Sequence, residues 1–107
     1  MSDGASPDFS LQIPLDHPAL AGHFPGQPIV PGVLLLDSLD LQLRQSQAGQ
    51  WMLIQAKFLQ PVLPGQPLDG YRQLQTDGLR IKLTLKYQSQ AVVVAEFRRL
   101  PVSGVLP

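Results

Sequence analysis

Hydrophobic and polar residues alternate repeatedly along this chain. Phe9, Leu11, Ile13 and Leu15 alternate with Ser10, Gln12 and Pro14, the period of a half-buried strand. Pro14 cannot donate to a ladder, so it marks a sheet edge or the strand's end. Further runs predict strands over Met52–Phe58, Leu68–Gln75, Leu79–Tyr87 and Ala91–Leu100. The cleanest puts Leu79, Ile81, Leu83, Leu85 and Tyr87 on one face and Arg80, Lys82, Thr84 and Lys86 on the other.

The period changes once. Val33 to Gln47 is rich in Leu and Gln, lacks Gly and Pro, and stops near Gly49, which predicts the one helix. Asp16 to Pro31 is turn-rich and carries Pro18, Pro25, Pro28 and Pro31, yet Leu20, Phe24, Ile29 and Val30 are interleaved and can be buried. Gln60–Pro67 reads as a stiff turn; Thr76–Gly78 and the residues around Ser89 read as tight hairpins. One strand, a long loop, a helix, then four sequential antiparallel strands is an α+β layer architecture. There are no internal repeats, so residues 1–107 read as a single domain with loose tails at 1–7 and 101–107.

Composition narrows this. At 107 residues with 44% hydrophobic content the chain supports one modest core, which a second copy would enlarge. It has no Cys, which excludes disulfides and thiolate metal sites. The first residues, MSDGASPDFS, lack the features of a signal peptide, and the longest apolar run, VLLL, is far short of a membrane span, so a cytoplasmic protein is expected. No nucleic-acid partner is expected. Net charge is zero but unevenly spread: five of the eight acids precede residue 41, and all eight bases lie between Arg44 and Arg99. That basic portion suits an acidic partner, or it is the wet face of a sheet.

The candidate chemistry sits in GHFPGQPIVPGVLLLD, Gly22 to Asp37. Val33, Leu34, Leu35 and Leu36 step round a full helical turn, so the helix is expected to start inside the protein. Asp37 follows in the same cylinder. An unpaired carboxylate is costly there, which would keep the acid neutral and make it a proton donor. The alternative is an Asp that reaches Arg44 or solvent beside Asp40. Ahead of the helix, IVPG offers no side-chain cap; Pro31 removes one donor, and the amide of Gly32 must bond something else. An uncapped helix start suits an oxygen that gains negative charge. His23, between Gly22 and Phe24–Pro25–Gly26, has the rigid mount a general base needs. His17, in DHP, reads as a surface residue. Nothing resembles a spaced metal-ligand set.

This segment resembles the active-site stretch of the hotdog-fold 3-hydroxyacyl-acyl-carrier-protein dehydratases, the FabZ and FabA group. Their pattern is H-F-x-G-x-P-x-x-P-G with an acid fourteen residues after the His, and His23, Phe24, Gly26, Pro28, Pro31, Gly32 and Asp37 match it. KFLQPVLPGQPL, Lys57 to Leu68, resembles the family's F-x-x-P-V-x-P-G-D-x-L, with Gln66 where Asp is usual, and VVVAEF, Val92 to Phe97, resembles its last strand. Asp37 is the FabA-like choice of acid where FabZ-like members have Glu, which reopens the question of double-bond isomerisation. Compact chains of this kind resemble dehydratases of specialised pathways such as aryl polyene assembly.

The resemblance implies a long central helix wrapped by a curved antiparallel sheet of five or six strands. It implies a dimer, with each site built from the His of one protomer and the acid of the other; a higher oligomer or a heterodimer stays open. It implies loss of water from a 3-hydroxyacyl thioester with His23 as base, Asp37 as acid and the Gly32 amide at the carbonyl, and no cofactor or metal. Phe24, Gly26 and Pro31 would frame the substrate. Val33, Leu34, Leu36 and Phe58 are candidates for an acyl tunnel, or are simply core. The acyl chain would arrive on an acidic carrier protein, with Arg98 and Arg99, then Lys82 and Lys86, as contacts. The rivals are a hotdog thioesterase and a non-catalytic acyl-binding subunit.

Overall fold

The computed structural model describes residues 6–20 and 29–101. Among them, five strands form one antiparallel sheet: β1 (Phe9–Leu11), β2 (Trp51–Phe58), β3 (Leu68–Leu74), β4 (Arg80–Tyr87) and β5 (Gln90–Arg99). A 3-10 turn spans Pro18–Leu20 and the helix α1 spans Gly32–Ser46. The sheet order is β1-β3-β4-β5-β2.

The order in the sheet departs from the order in the chain at one place. β2 pairs with β5 rather than with β3, which follows it. The stiff segment after Phe58 is a crossover to the far side of the sheet: Leu59 donates to the carbonyl of Val92, and Val62 is buried in the core. Its prolines suit that path, since they cannot continue a ladder. β3, β4 and β5 do follow one another as hairpins. The last turn is two residues long, with Gln88 at φ 50 and Ser89 at φ 73 between the paired Tyr87 and Gln90. Two positive-φ residues are what a type I′ turn requires.

Alternation along β4 and β5 sets the two faces. Ile81, Leu83 and Leu85, with Val93, Ala95 and Phe97, are buried on the inner face. Leu35, Leu39 and Leu43 of α1, spaced four apart, are buried against that core. Each such leucine contributes about 2 kcal/mol by leaving water, which fixes the rotation of the helix. No described helix is long and apolar enough to cross a membrane.

Two arginines tie the periphery down. Arg72 donates to the carbonyl of Asp8, and its own amide donates to the Asp8 carboxylate at 2.7 Å, which anchors the start of β1. Arg99 donates from Nη1 to the carbonyl of Ala48 at 2.8 Å and from Nε to the carbonyl of Gly78 at 3.2 Å, and its guanidinium lies 4.4 Å from the centre of the Trp51 ring. One side chain thus joins the end of α1, the start of β2 and the β3–β4 turn. The chain makes room for it at Gly49 (φ +96), where a Cβ would stand 2.5 Å from Nη1.

β1 is shorter than the alternation from Phe9 to Leu15 implies. The carbonyl of Ile13 accepts from Gly65, and Gln12 donates to the Gly65 carbonyl, so the chain leaves the ladder before Pro14. Leu79, expected on the inner face, precedes β4 at the hairpin and is 52% exposed.

Candidate active site

α1 begins without a side-chain cap. Pro31 is the N-cap residue at φ −61, ψ 142, and its carbonyl accepts from Leu34 and Leu35. Val30, just before it, donates to the carbonyl of Val62 at 2.8 Å, which ties the entry of the helix to the crossover segment. Between them lies an apolar cavity of about 540 Å³, lined by Ile29, Val30, Gly32, Leu35 and Phe58 and by the segment Leu59–Val62. The positive end of the helix dipole opens on this space.

Phe58 ends the edge strand β2, and its ring lies against Gly32. A Cβ on residue 32 would stand 2.9 Å from ring carbons of Phe58. Glycine thus permits the close approach of this aromatic wall to the helix start, and a side chain there would push the ring aside. Half of Phe58 remains exposed.

Asp37 is exposed, not buried as the apolar first turn of the helix implies. The reason is the rotation of α1. Leu35, Leu39 and Leu43 take the inward face, which turns Val33, Asp37 and Leu41 outward; Val33 is 65% and Leu41 50% exposed. Asp37 is not among the residues that line the cavity. Nor does it pair with Arg44, which bonds Asp40 at 3.1 Å.

The tunnel candidates divide in the same way. Phe58 lines the cavity. Leu34 and Leu36 are partly buried against the core, and Val33 points to solvent. Leu35, together with Ile29, Val30, Leu59 and Val62, lines the cavity instead. The four-residue spacing of Leu35, Leu39 and Leu43 was the signal for Leu35, and the all-apolar first turn obscured it. His23, Phe24 and Gly26 lie outside the described residues, as does Pro28. His17 is half-buried, with its backbone in the turn that leads into Pro18–Leu20.

The basic candidates also separate. Arg99 is held inside the fold as described, and Lys86 lies 4.9 Å from the centre of the Tyr71 ring. Arg98 is exposed and Lys82 half-exposed, both on the outer face of the sheet.

Among the described residues one edge of the sheet is apolar and open: β2 is bonded to β5 alone. Met52, Leu53 and Ile54 are about two-fifths exposed and Leu59 is 52% exposed. Protein edges are usually blunted by charge or Pro; β2 carries Lys57 as its sole charge. Leu41 and Val33 add apolar surface on the outward face of α1.

Comparison with known proteins places this architecture. The sequence model of the ApeI-like family, described as ApeI dehydratase, matches residues 1–98. The 3-hydroxyacyl-(acyl-carrier-protein) dehydratase FabZ of Haemophilus influenzae strain PittEE is 37% identical over 68 residues, covering 53% of this chain and 46% of that protein. FabZ of Mannheimia succiniciproducens is also 37% identical over 68 residues, covering 53% of this chain and 45% of that protein. The match thus spans about half the length of these curated relatives. Among solved structures, the dehydratase heterocomplex ApeI:P of Xenorhabdus doucetiae superposes with a TM-score of 0.69 at 21% identity, covering 86% of this chain and 84% of that one. An uncharacterised protein of Erwinia carotovora subsp. atroseptica superposes with a TM-score of 0.72 at 25% identity, covering 87% and 81%. The α+β architecture is a hotdog fold.

Proposed function

Because the chain belongs to the ApeI-like dehydratase family, we propose that it removes water from a 3-hydroxyacyl thioester held on an acyl carrier protein, giving the trans-2-enoyl thioester. The observation that carries this reading is the apolar cavity at the uncapped start of α1, walled by Phe58 and Leu35, with the backbone of Gly32 on its lining. A thioester carbonyl seated there meets the positive end of the helix, and the amide of Gly32 stabilises the charge that develops on its oxygen.

His23 takes the proton from C2. The electron pair left on C2 becomes the C2–C3 double bond as the C3–O bond breaks. Asp37 gives its carboxyl proton to the departing hydroxyl, which leaves as water. Pro31 sets the direction of the helix, and Phe24 and Gly26 follow His23 in the same sequence segment. No resident metal or cofactor enters these steps.

Among the described residues Asp37 is not part of the cavity lining, which supports a site completed by a second chain. The open apolar edge of β2 and the outward residues Val33 and Leu41 supply the surface for it. In the dimer we propose, Asp37 of one copy works with His23 of the other. A related chain could take the second position, as in the Xenorhabdus doucetiae heterocomplex; the mass of the protein purified alone separates the two arrangements.

Incubation with a series of 3-hydroxyacyl carrier-protein conjugates, followed by mass spectrometry, tests the reaction. The expected result is loss of one water and no free thiol. Thiol release would assign a thioesterase, and an unchanged mass across the series would leave a binding subunit.

A further inference from the structure

We propose that the outer face of β2, β5 and β4 is the docking surface for the acidic carrier protein; this rests on the function proposed above. The observation is how the basic side chains divide. Of the eight Lys and Arg residues, four are engaged within the fold. Arg44 pairs with Asp40, and Arg72 bonds the Asp8 carbonyl. Arg99 bonds Ala48 and Gly78, and Lys86 lies over Tyr71 with Asp69 opposite it on β3. The other four are Lys57, Arg80, Lys82 and Arg98. Their side chains have no ion pair, hydrogen bond or ring contact among the described residues, and all four share one face of three neighbouring strands.

The register fixes that placement. Arg80 stands directly opposite Arg98, Lys82 opposite Glu96, and Lys57 opposite Val94. Ile81, Leu83, Ala95 and Phe97, which alternate with them, are buried on the other side. A groove of about 120 Å³ joins Lys57, Lys82, Glu96, Gln55 and Val94. Like charges directly opposite on a ladder destabilise a sheet. Neighbouring strands put Arg80, Arg98 and Lys82 within about 8 Å of one another, inside one Debye length at physiological salt. The fold keeps this repulsion although the chain as a whole carries no net charge.

An acidic protein surface fits the patch better than a lipid or nucleic-acid phosphate surface. Glu96 lies within it and would repel an unbroken field of phosphates, whereas a protein can answer it with a donor. Met52, Val94 and Thr84 lie between the charges and offer a protein apolar contact. Lys57 ends the patch one residue before Phe58, which walls the cavity on the opposite face. A carrier bound here sits at the strand end where its acyl arm is needed.

The test is Arg80→Glu, read in two ways. The substitution turns the Arg80–Arg98 repulsion into attraction, so the melting temperature should rise. Affinity for a purified phosphopantetheinylated carrier protein without an acyl chain, measured by biolayer interferometry, should fall about tenfold, and wild-type binding should weaken with salt. An unchanged Kd, or no binding by the wild type, overturns the docking surface. So does loss of binding to phosphatidylserine vesicles with carrier binding intact. Carrier binding needs no turnover, so the two readings fail separately. Enoyl formation with an unchanged Arg80→Glu Kd removes only the docking surface; carrier binding that Arg80→Glu weakens, without enoyl formation, removes only the reaction.

Discussion

Val33 and Asp37 stand one helical turn apart and both face out of the chain, Val33 with 65% of its surface exposed. An apolar side chain and a carboxyl on one outward stripe of α1 describe a surface that a second chain can cover. Asp37 is exposed and its carboxyl bonds nothing among the described residues, so Asp37→Asn should leave folding stability within about 0.5 kcal/mol of the parent, as for other surface changes. Enoyl formation should fall by about a hundredfold or more, the size of a lost general acid. Thermal melting beside a turnover assay reads both. Retained turnover would assign the proton donor elsewhere.

The exposed edge gives a second expectation. Ile54 sits where the β2–β5 register shifts and is 39% exposed. A lysine there adds charge to an edge that otherwise invites pairing. Ile54→Lys should convert the assembly to single chains, seen as a halved mass in sedimentation equilibrium, and turnover should disappear with it. A variant that stays paired would remove β2 from the interface.

At the helix start, Gly32 and Phe58 form a matched pair. Gly32→Ala places a methyl group where ring carbons stand 2.9 Å away. Alanine favours a helix by about 1 kcal/mol over glycine, which offsets part of the crowding. The expected outcome is a modest change in melting temperature and a loss of turnover of about tenfold or more, since the wall of the cavity must move. Adding Phe58→Leu makes room and should recover part of the rate. No recovery in the double variant would mean that the ring and the glycine are not coupled.

Arg99 makes a separate, purely structural prediction. Arg99→Met removes two hydrogen bonds to backbone carbonyls and the guanidinium over Trp51. Stability should drop by about 2 kcal/mol, read as a lower urea midpoint. Arg99→Lys should not restore it, because a lysine cannot reproduce the planar fork. Equal stability of the Lys variant and the parent would contradict the clamp.

Much of the fold was legible because its signals are local. Strict alternation gave β4, a strand-like run gave β5, glycine and the absence of Pro bounded α1, and the turn residues marked both hairpins. What was not legible depended on long-range pairing. Nothing in Trp51–Phe58 says that it pairs with β5 rather than β3, because its partner lies across a crossover. The same limit misplaced Asp37: four apolar residues in a row suggested burial all round, whereas the rotation of α1 is set by Leu35, Leu39 and Leu43 against the sheet. The sequence ranked Arg98 and Arg99 ahead of Lys82 and Lys86 as contacts, and only the register and side-chain contacts separate Arg99 and Lys86, which the fold uses, from Arg80, Lys82 and Arg98. The motif from His23 to Asp37 carried the family, because its order of Gly, Pro and His is specific without any knowledge of the sheet.

The shared site is tested most directly by complementation. His23→Ala and Asp37→Asn are each expected to be inactive. Co-expressed, they form mixed dimers in which one site has lost both groups and the other keeps both. Random pairing in a two-fold dimer should then return about a quarter of the parent's enoyl-forming activity. If co-expressed mixed dimers are isolated and no activity returns, His23 and Asp37 do not meet across two chains, and the mechanism proposed here is wrong.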